Sequence, residues 1–160
     1  MDSDCLVKLT KAGAKEALVA AMEVHIPPLV KKETVDYAKA CGYHDAFAIE
    51  ENIKRESLHV VGPRSRRSPA PALPGGRGEA DVVALYLDGS YDAIASDDQR
   101  FLKWLEAADI PYLTPAACLM YAYRDNKVGR PKALEMLESL RPFISRAEYA
   151  VTKLYLEDKS

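Results

Sequence analysis

Apolar residues in this chain fall into short blocks separated by longer stretches of mixed polarity. Residues 2–9, 24–26, 57–61, 93–96 and 111–114 are rich in β-branched and apolar side chains and predict short strands. Between and after them, residues 14–23, 29–40, 45–54, 79–87, 99–108, 115–123, 130–140 and 145–156 carry helical patterns. Pro28 and Pro115 stand where helices begin, a position that tolerates proline because a first-turn N–H has no helical partner. Thr114 offers a cap to the helix at 115, and Ser145 with Glu148 has capping-box spacing. Strands this short and apolar, alternating with helices, predict an α/β fold with a parallel sheet covered on both faces. Functional groups in such sheets gather outside the carboxyl ends of the strands. There is no internal repeat.

One segment departs from this pattern. Residues 63–78 hold four Pro, three Gly and four Arg and no acid, which predicts a basic loop rather than a core element. The rest has an ordinary globular composition, 48% apolar and 29% charged over 160 residues, and predicts one domain spanning 1–160. A domain of that length buries roughly 70% of its unfolded surface and needs no disulfide or metal staple. Charge is balanced, with 22 basic against 24 acidic residues, so the chain is no bulk polycation. Nucleic-acid binding would have to come from a local patch. No apolar run reaches the roughly 18 residues of a membrane span. The acidic start Met1-Asp2-Ser3-Asp4 differs from the basic start of a secretory signal. Cys5, Cys41 and Cys118 are isolated, which suits a reducing cytoplasm better than a disulfide framework or thiolate zinc site.

The candidate chemistry lies in acids. Asp2 and Asp4, two apart on the predicted first strand, would share a face. Ser96-Asp97-Asp98 ends the strand at 93–96, and Gly78-Glu79-Ala80-Asp81 opens a helix. Glu33 sits on the helix after Pro28. Each has a plain alternative: a solvated terminus, helix capping, dipole complementarity, and a surface acid among lysines. Three of the four fall at strand ends or helix starts, where they can converge. A cluster of carboxylates is a hard-oxygen cage suited to Mg²⁺ or Mn²⁺, and such an ion polarises a phosphodiester and activates water. His25, His44 and His59 show no metal-ligand spacing and read as structural or surface histidines. Neither a phosphate-binding glycine loop nor a nucleophile elbow is present.

These residues resemble the PIN-domain family. Asp2-Ser3-Asp4-Cys5-Leu6-Val7 is similar to its opening Asp-(Thr/Ser)-(Asn/Ser/Asp)-x-Leu-(Ile/Val) motif. The stretch from Pro28 through Val30 to Glu33 resembles its second acidic motif, carried on a helix. Gly78-Glu79 resembles a helix start found in one branch, and Ser96-Asp97-Asp98-x-x-Phe101 the Ser/Thr-x-Asp motif after the fourth strand. The resemblance spans about residues 1–115, in order. It implies a metal-dependent ribonuclease on a three-layer α/β/α sandwich with a central parallel sheet, and many relatives are toxins of type II toxin–antitoxin modules. It implies Asp2, Glu33, Glu79 and Asp98 as the acidic residues, with Ser96 orienting the last carboxylate and Asp4, Asp81 and Asp97 as further metal ligands. Two departures stand out: only Met1 precedes Asp2, where the family has several apolar residues, and the basic loop before Glu79 is long.

The expected function is thus a Mg²⁺/Mn²⁺-dependent endoribonuclease, with RNA as substrate. Arg64, Arg66, Arg67 and Arg77 would contact phosphates, and Lys8, Lys11, Lys31 and Lys32 would line the approach. The alternatives are a catalytically impaired PIN-like RNA-binding or protein-interaction module, and a helical interaction protein whose acids only cap helices. The family implies a homodimer and an antitoxin partner. Apolar faces at 130–140 and 145–156 serve either the core or such docking.

Overall fold

The structure, a computed structural model, describes residues 1–64, 73, 76–89 and 91–158. Arg66 and Arg67, with most of the basic segment, lie outside the described residues.

The first element corrects the sequence expectation. Residues 2–9 predict a strand, but Ser3–Lys11 form a helix, α1. Cys5, Leu6, Leu9 and Ala12 recur at helical spacing and are all buried, while Lys11 faces solvent. Asp2 caps the helix, its Oδ1 accepting from the Cys5 N–H at 2.9 Å. Gly13, at a φ of +69° that favours glycine, lets the chain turn out of α1 into α2 (Lys15–Ala21).

Strand β1 (His25–Ile26) leads through Pro27 into α3 (Pro28–Lys31), a π-helical turn (Lys32–Tyr37) and α4 (Ala38–Ala40). Helix α5 (Asp45–Lys54) and strand β2 (His59–Val60) follow. Helix α6 runs over Arg77–Asp88, so Arg77 and Gly78 belong to a helix rather than to the basic loop. Then come β3 (Ile94–Ala95), α7 (Gln99–Ala107), β4 (Tyr112–Leu113) and α8 (Pro115–Arg124). Helix α9 (Arg130–Leu140) passes through a 3₁₀ turn at Arg141–Phe143 to α10 (Arg146–Glu157).

The strands are parallel, as expected, but the described residues form two two-stranded sheets rather than one central sheet. β1 pairs with β2, His25 opposite His59, and β3 with β4, Ile94 opposite Tyr112. Each strand is two residues long, and the flanking Pro27 and Pro111 have no N–H to lengthen a ladder. Met1 and Asp2 span the gap between the sheets. The Met1 amino group donates to the His25 carbonyl at 2.9 Å, and the Asp2 N–H donates to the Ala95 carbonyl at 3.0 Å.

Helices cover these strands. α2 packs on α8, α10 packs on α8 and α9, and α1 meets α2, α5 and α9. Phe101, Leu105, Leu119, Leu137 and Leu140 are buried in the shared core. Each such side chain contributes about 1.5–3 kcal/mol by leaving water. Ser145 caps α10 at the Glu148 N–H, 3.1 Å away, but the capping box is not closed there. The Glu148 carboxylate instead accepts from the Ala116 N–H at 3.2 Å and ties α10 to the start of α8.

Candidate functional site

Residues that follow the carboxyl ends of β1 and β3 meet the start of α6 around a cavity of about 280 Å³. Asp2, Asp4, Glu33, Glu79, Asp98 and Arg77 line it. The four acids singled out from sequence therefore converge, although Asp2 and Asp4 sit on a helix start and not on a strand.

Local structure fixes each side chain. Asp98 caps α7, its Oδ1 accepting from the N–H groups of Arg100 at 2.9 Å and Phe101 at 2.7 Å. Glu79 lies in the first turn of α6 and accepts from the Gly76 N–H at 2.7 Å. Glu33 is in the π-helical turn, a distortion often found at functional sites, and accepts from the Ser3 hydroxyl. A methyl group on Gly78 would stand 3.9 Å from Glu33 Oε2, so the start of α6 lies close against that acid.

Asp2 differs from the others because it is only 7% exposed. Burial pushes its carboxyl up to about 6, while hydrogen bonds from Ser96 and from the Cys5 N–H act in the opposite direction. Ser96, fully buried, also accepts from the Asp98 N–H at 3.3 Å. Its side chain thus holds the Asp98 backbone beside the cavity and also acts on the Asp2 carboxyl.

The other acids diverge. Asp97 is ion-paired with Lys8. Asp81 is half-buried in α6, two residues and thus about 200° round the helix from Glu79, and does not line the cavity. Of the basic residues, Arg77 reaches the cavity, and the Arg64 N–H donates to Asp88. A neighbouring groove of about 590 Å³ shares Ser3, Asp4 and Glu33 with the cavity and is also lined by Lys8, Lys11, Tyr37 and Tyr43.

The structure adds a feature of the histidines that sequence spacing did not show. His44 is exposed and apart, but His25 and His59 are not scattered: they stand opposite each other on β1 and β2 with ring centroids 5.1 Å apart. With Glu23 they are, among the described residues, the one group of three whose possible ligand atoms all lie within 4.8 Å of one another. The signal available in sequence was the alternation Glu23-Val24-His25, which puts both outer side chains on one face where the chain runs extended into β1.

Parallel strands, enclosing helices and a cavity ringed by carboxylates define an α/β protein with an acidic site at the carboxyl ends of its strands. The chain belongs to the PIN-domain family: the family model described as "DUF3368: PIN domain" matches residues 1–157. PIN domains have a nuclease-type fold and typically bind divalent metal ions. Comparison with curated proteins and with solved structures gives no match.

Proposed function

We propose that this PIN domain is a metal-dependent endoribonuclease acting at the cavity between α1, α6 and α7. The observation that carries this reading is the convergence of Asp2, Glu33, Glu79 and Asp98 on one cavity from four distant parts of the chain. Carboxylates brought together repel, and a hard divalent cation offsets that repulsion. The donor set suits Mg²⁺ or Mn²⁺: every candidate ligand is an oxygen, and the buried Asp2 is the acid whose ionised form most needs a counter-charge. The volume leaves room for the waters that Mg²⁺ retains. When bound, such an ion polarises the phosphodiester and makes a bound water a better nucleophile.

The chain's own residues have distinct tasks in this reading. Asp2 and Asp98 are the principal holders, with Glu33 and Glu79 facing them and Asp4 at the rim. Ser96 and the capping amides of α7 orient the first two, and Asp97 and Asp81 serve as the outer acids of the same motifs. Arg77 meets the substrate backbone at the cavity, and Lys8 and Lys11 meet it along the groove. Arg64, Arg66 and Arg67 extend the basic approach. Tyr37 and Tyr43, 56% and 59% exposed, offer faces on which unpaired bases can stack.

The finer reading of the fold is an α/β/α sandwich forming one domain over residues 1–160, with Met1–Asp2 in the central strand position. The finer biological reading is a cytoplasmic toxin of a type II module, with a homodimer and an antitoxin partner. Val151 and Leu154, 62% and 71% exposed on α10, are the apolar side chains available for such docking. Among the described residues no helix is long and apolar enough to cross a membrane.

The test is cleavage of single-stranded RNA by the purified chain with Mn²⁺ or Mg²⁺, with D98N and E79Q as controls. Metal-dependent cleavage lost in both variants is the expected result. Metal-independent cleavage, or activity kept in both, overturns the proposal. RNA binding without cleavage by the intact chain favours the impaired binding module.

A further inference from the structure

We infer that Glu23, His25 and His59 form a separate metal site that takes a borderline divalent cation of the zinc class. The inference does not depend on the nuclease reading, because the two sites lie at opposite ends of the strands. His25 and His59 are the first residues of parallel β1 and β2, whereas the acidic cavity follows the carboxyl ends.

Paired residues of adjacent parallel strands project to the same face, so the register places the two imidazoles side by side. Glu23 reaches the same face from two residues before His25. Its Oε1 is 2.7 Å from His25 Nε2, and the ligand atoms of all three residues lie within 4.8 Å of one another. Tetrahedral zinc holds nitrogen and oxygen donors at about 2.0–2.2 Å, which puts neighbouring donors roughly 3.3–3.6 Å apart. Small side-chain rotations bring this trio to that spacing. Glu23, with its side chain 73% exposed, is free to make the largest of them.

Tyr91 supplies the outer contact such a site needs. Its hydroxyl is 2.8 Å from His25 Nδ1, the ring nitrogen turned away from Glu23. If Nδ1–H donates to that oxygen, the proton is held there and the Nε2 lone pair faces the ion. Gly89 permits the arrangement, since a Cβ at that position would collide with the Tyr91 ring. Two imidazoles and one carboxylate select zinc-class ions over Mg²⁺, which favours all-oxygen surroundings. Three protein ligands leave a fourth position for water or for a donor from another molecule. A bound ion would join the end of α2, both strands of the first sheet and, through Tyr91, the segment before β3.

The experiment is calorimetric titration of the full chain with Zn²⁺ alone, for the wild type and for E23Q, H59Q, Y91F and D98N. The expected result is one tight zinc per chain, weakened more than about tenfold in E23Q and in H59Q, since even outer-shell changes cost 10–100-fold. Y91F should weaken it less than either, and D98N should leave it unchanged. E23Q changes an exposed side chain without altering its size, so its result stands even where H59Q folds poorly. Absence of tight binding, or affinity kept in E23Q, overturns the inference. Loss of the tight zinc in D98N also overturns it, because the ion then sits in the acidic cavity. Co²⁺ absorption gives an independent reading: intense tetrahedral bands in the wild type and D98N, lost in E23Q.

Discussion

Replacing the Asp2 carboxyl with a carboxamide, in D2N, tests the electrostatics of the cavity directly, through stability rather than activity. The folded protein holds the Asp2 carboxyl at about 6 against an ordinary 3.8, chiefly because the group is buried. The folded state therefore binds this proton more tightly than the unfolded chain. Its stabilising effect is complete below pH 3.8 and is lost as pH rises through 6. The full loss is about 3 kcal/mol at pH 8, from 1.36 kcal/mol for each tenfold change, and about 1.6 kcal/mol has already gone at pH 5. The carboxamide of D2N does not titrate and keeps an oxygen to accept the Cys5 N–H. With divalent cations chelated, the stability gained by D2N over wild type should thus grow by about 1.4 kcal/mol between pH 5 and pH 8. For a chain of this size that widens the gap in melting temperature by roughly 3–6 °C. Urea and thermal unfolding at four pH values measure it. A gap that stays constant, or narrows towards pH 8, refutes the reasoning. Excess Mn²⁺ at pH 8 should then raise the wild-type midpoint and move D2N far less; equal shifts would remove Asp2 from the ligand set.

Other substitutions separate scaffolding from chemistry. D98A should cost about 1 kcal/mol through loss of the α7 cap while D98N costs little, and urea midpoints report the difference. Both should abolish Mn²⁺-dependent cleavage, so activity retained in D98N alone would reduce Asp98 to a cap. L137A should destabilise by about 2–5 kcal/mol, because this fully buried side chain leaves a cavity among packed helices. Neutralising Arg64, Arg66, Arg67 and Arg77 together should flatten the salt dependence of single-stranded RNA binding by a slope of up to about 2.8; an unchanged slope would remove them from the interface.

The parts of the fold with long periodic patterns were legible. Helices α5 and α9 fall at the predicted residues, and the strands at 24–26 and 93–96 contain β1 and β3. The start was not. The residues from Asp2 to Val7 support either a strand or a helix, and only the Cys5–Leu6–Leu9–Ala12 spacing together with the Asp2 cap resolves the matter in favour of a helix. The acids could be gathered from sequence because capping and strand-end positions are local features. The direction of the Ser96 side chain was not available, since its partner Asp2 is ninety-four positions away in sequence. The pairing of His25 with His59 was hidden for the same reason: strand register is a long-range property, and two-residue strands carry almost no pattern from which to infer it.

Met1 and Asp2 bond one sheet through the His25 carbonyl and the other through the Ala95 carbonyl, and Asp2 also supplies the cavity's most enclosed acid. Mechanical coupling and charge are therefore concentrated in one dipeptide. Whatever moves the Asp2 carboxyl acts on the same residue whose N–H holds the second sheet. A divalent ion held by Asp2 should therefore slow amide exchange in both sheets together, and hydrogen exchange with and without Mn²⁺ measures it.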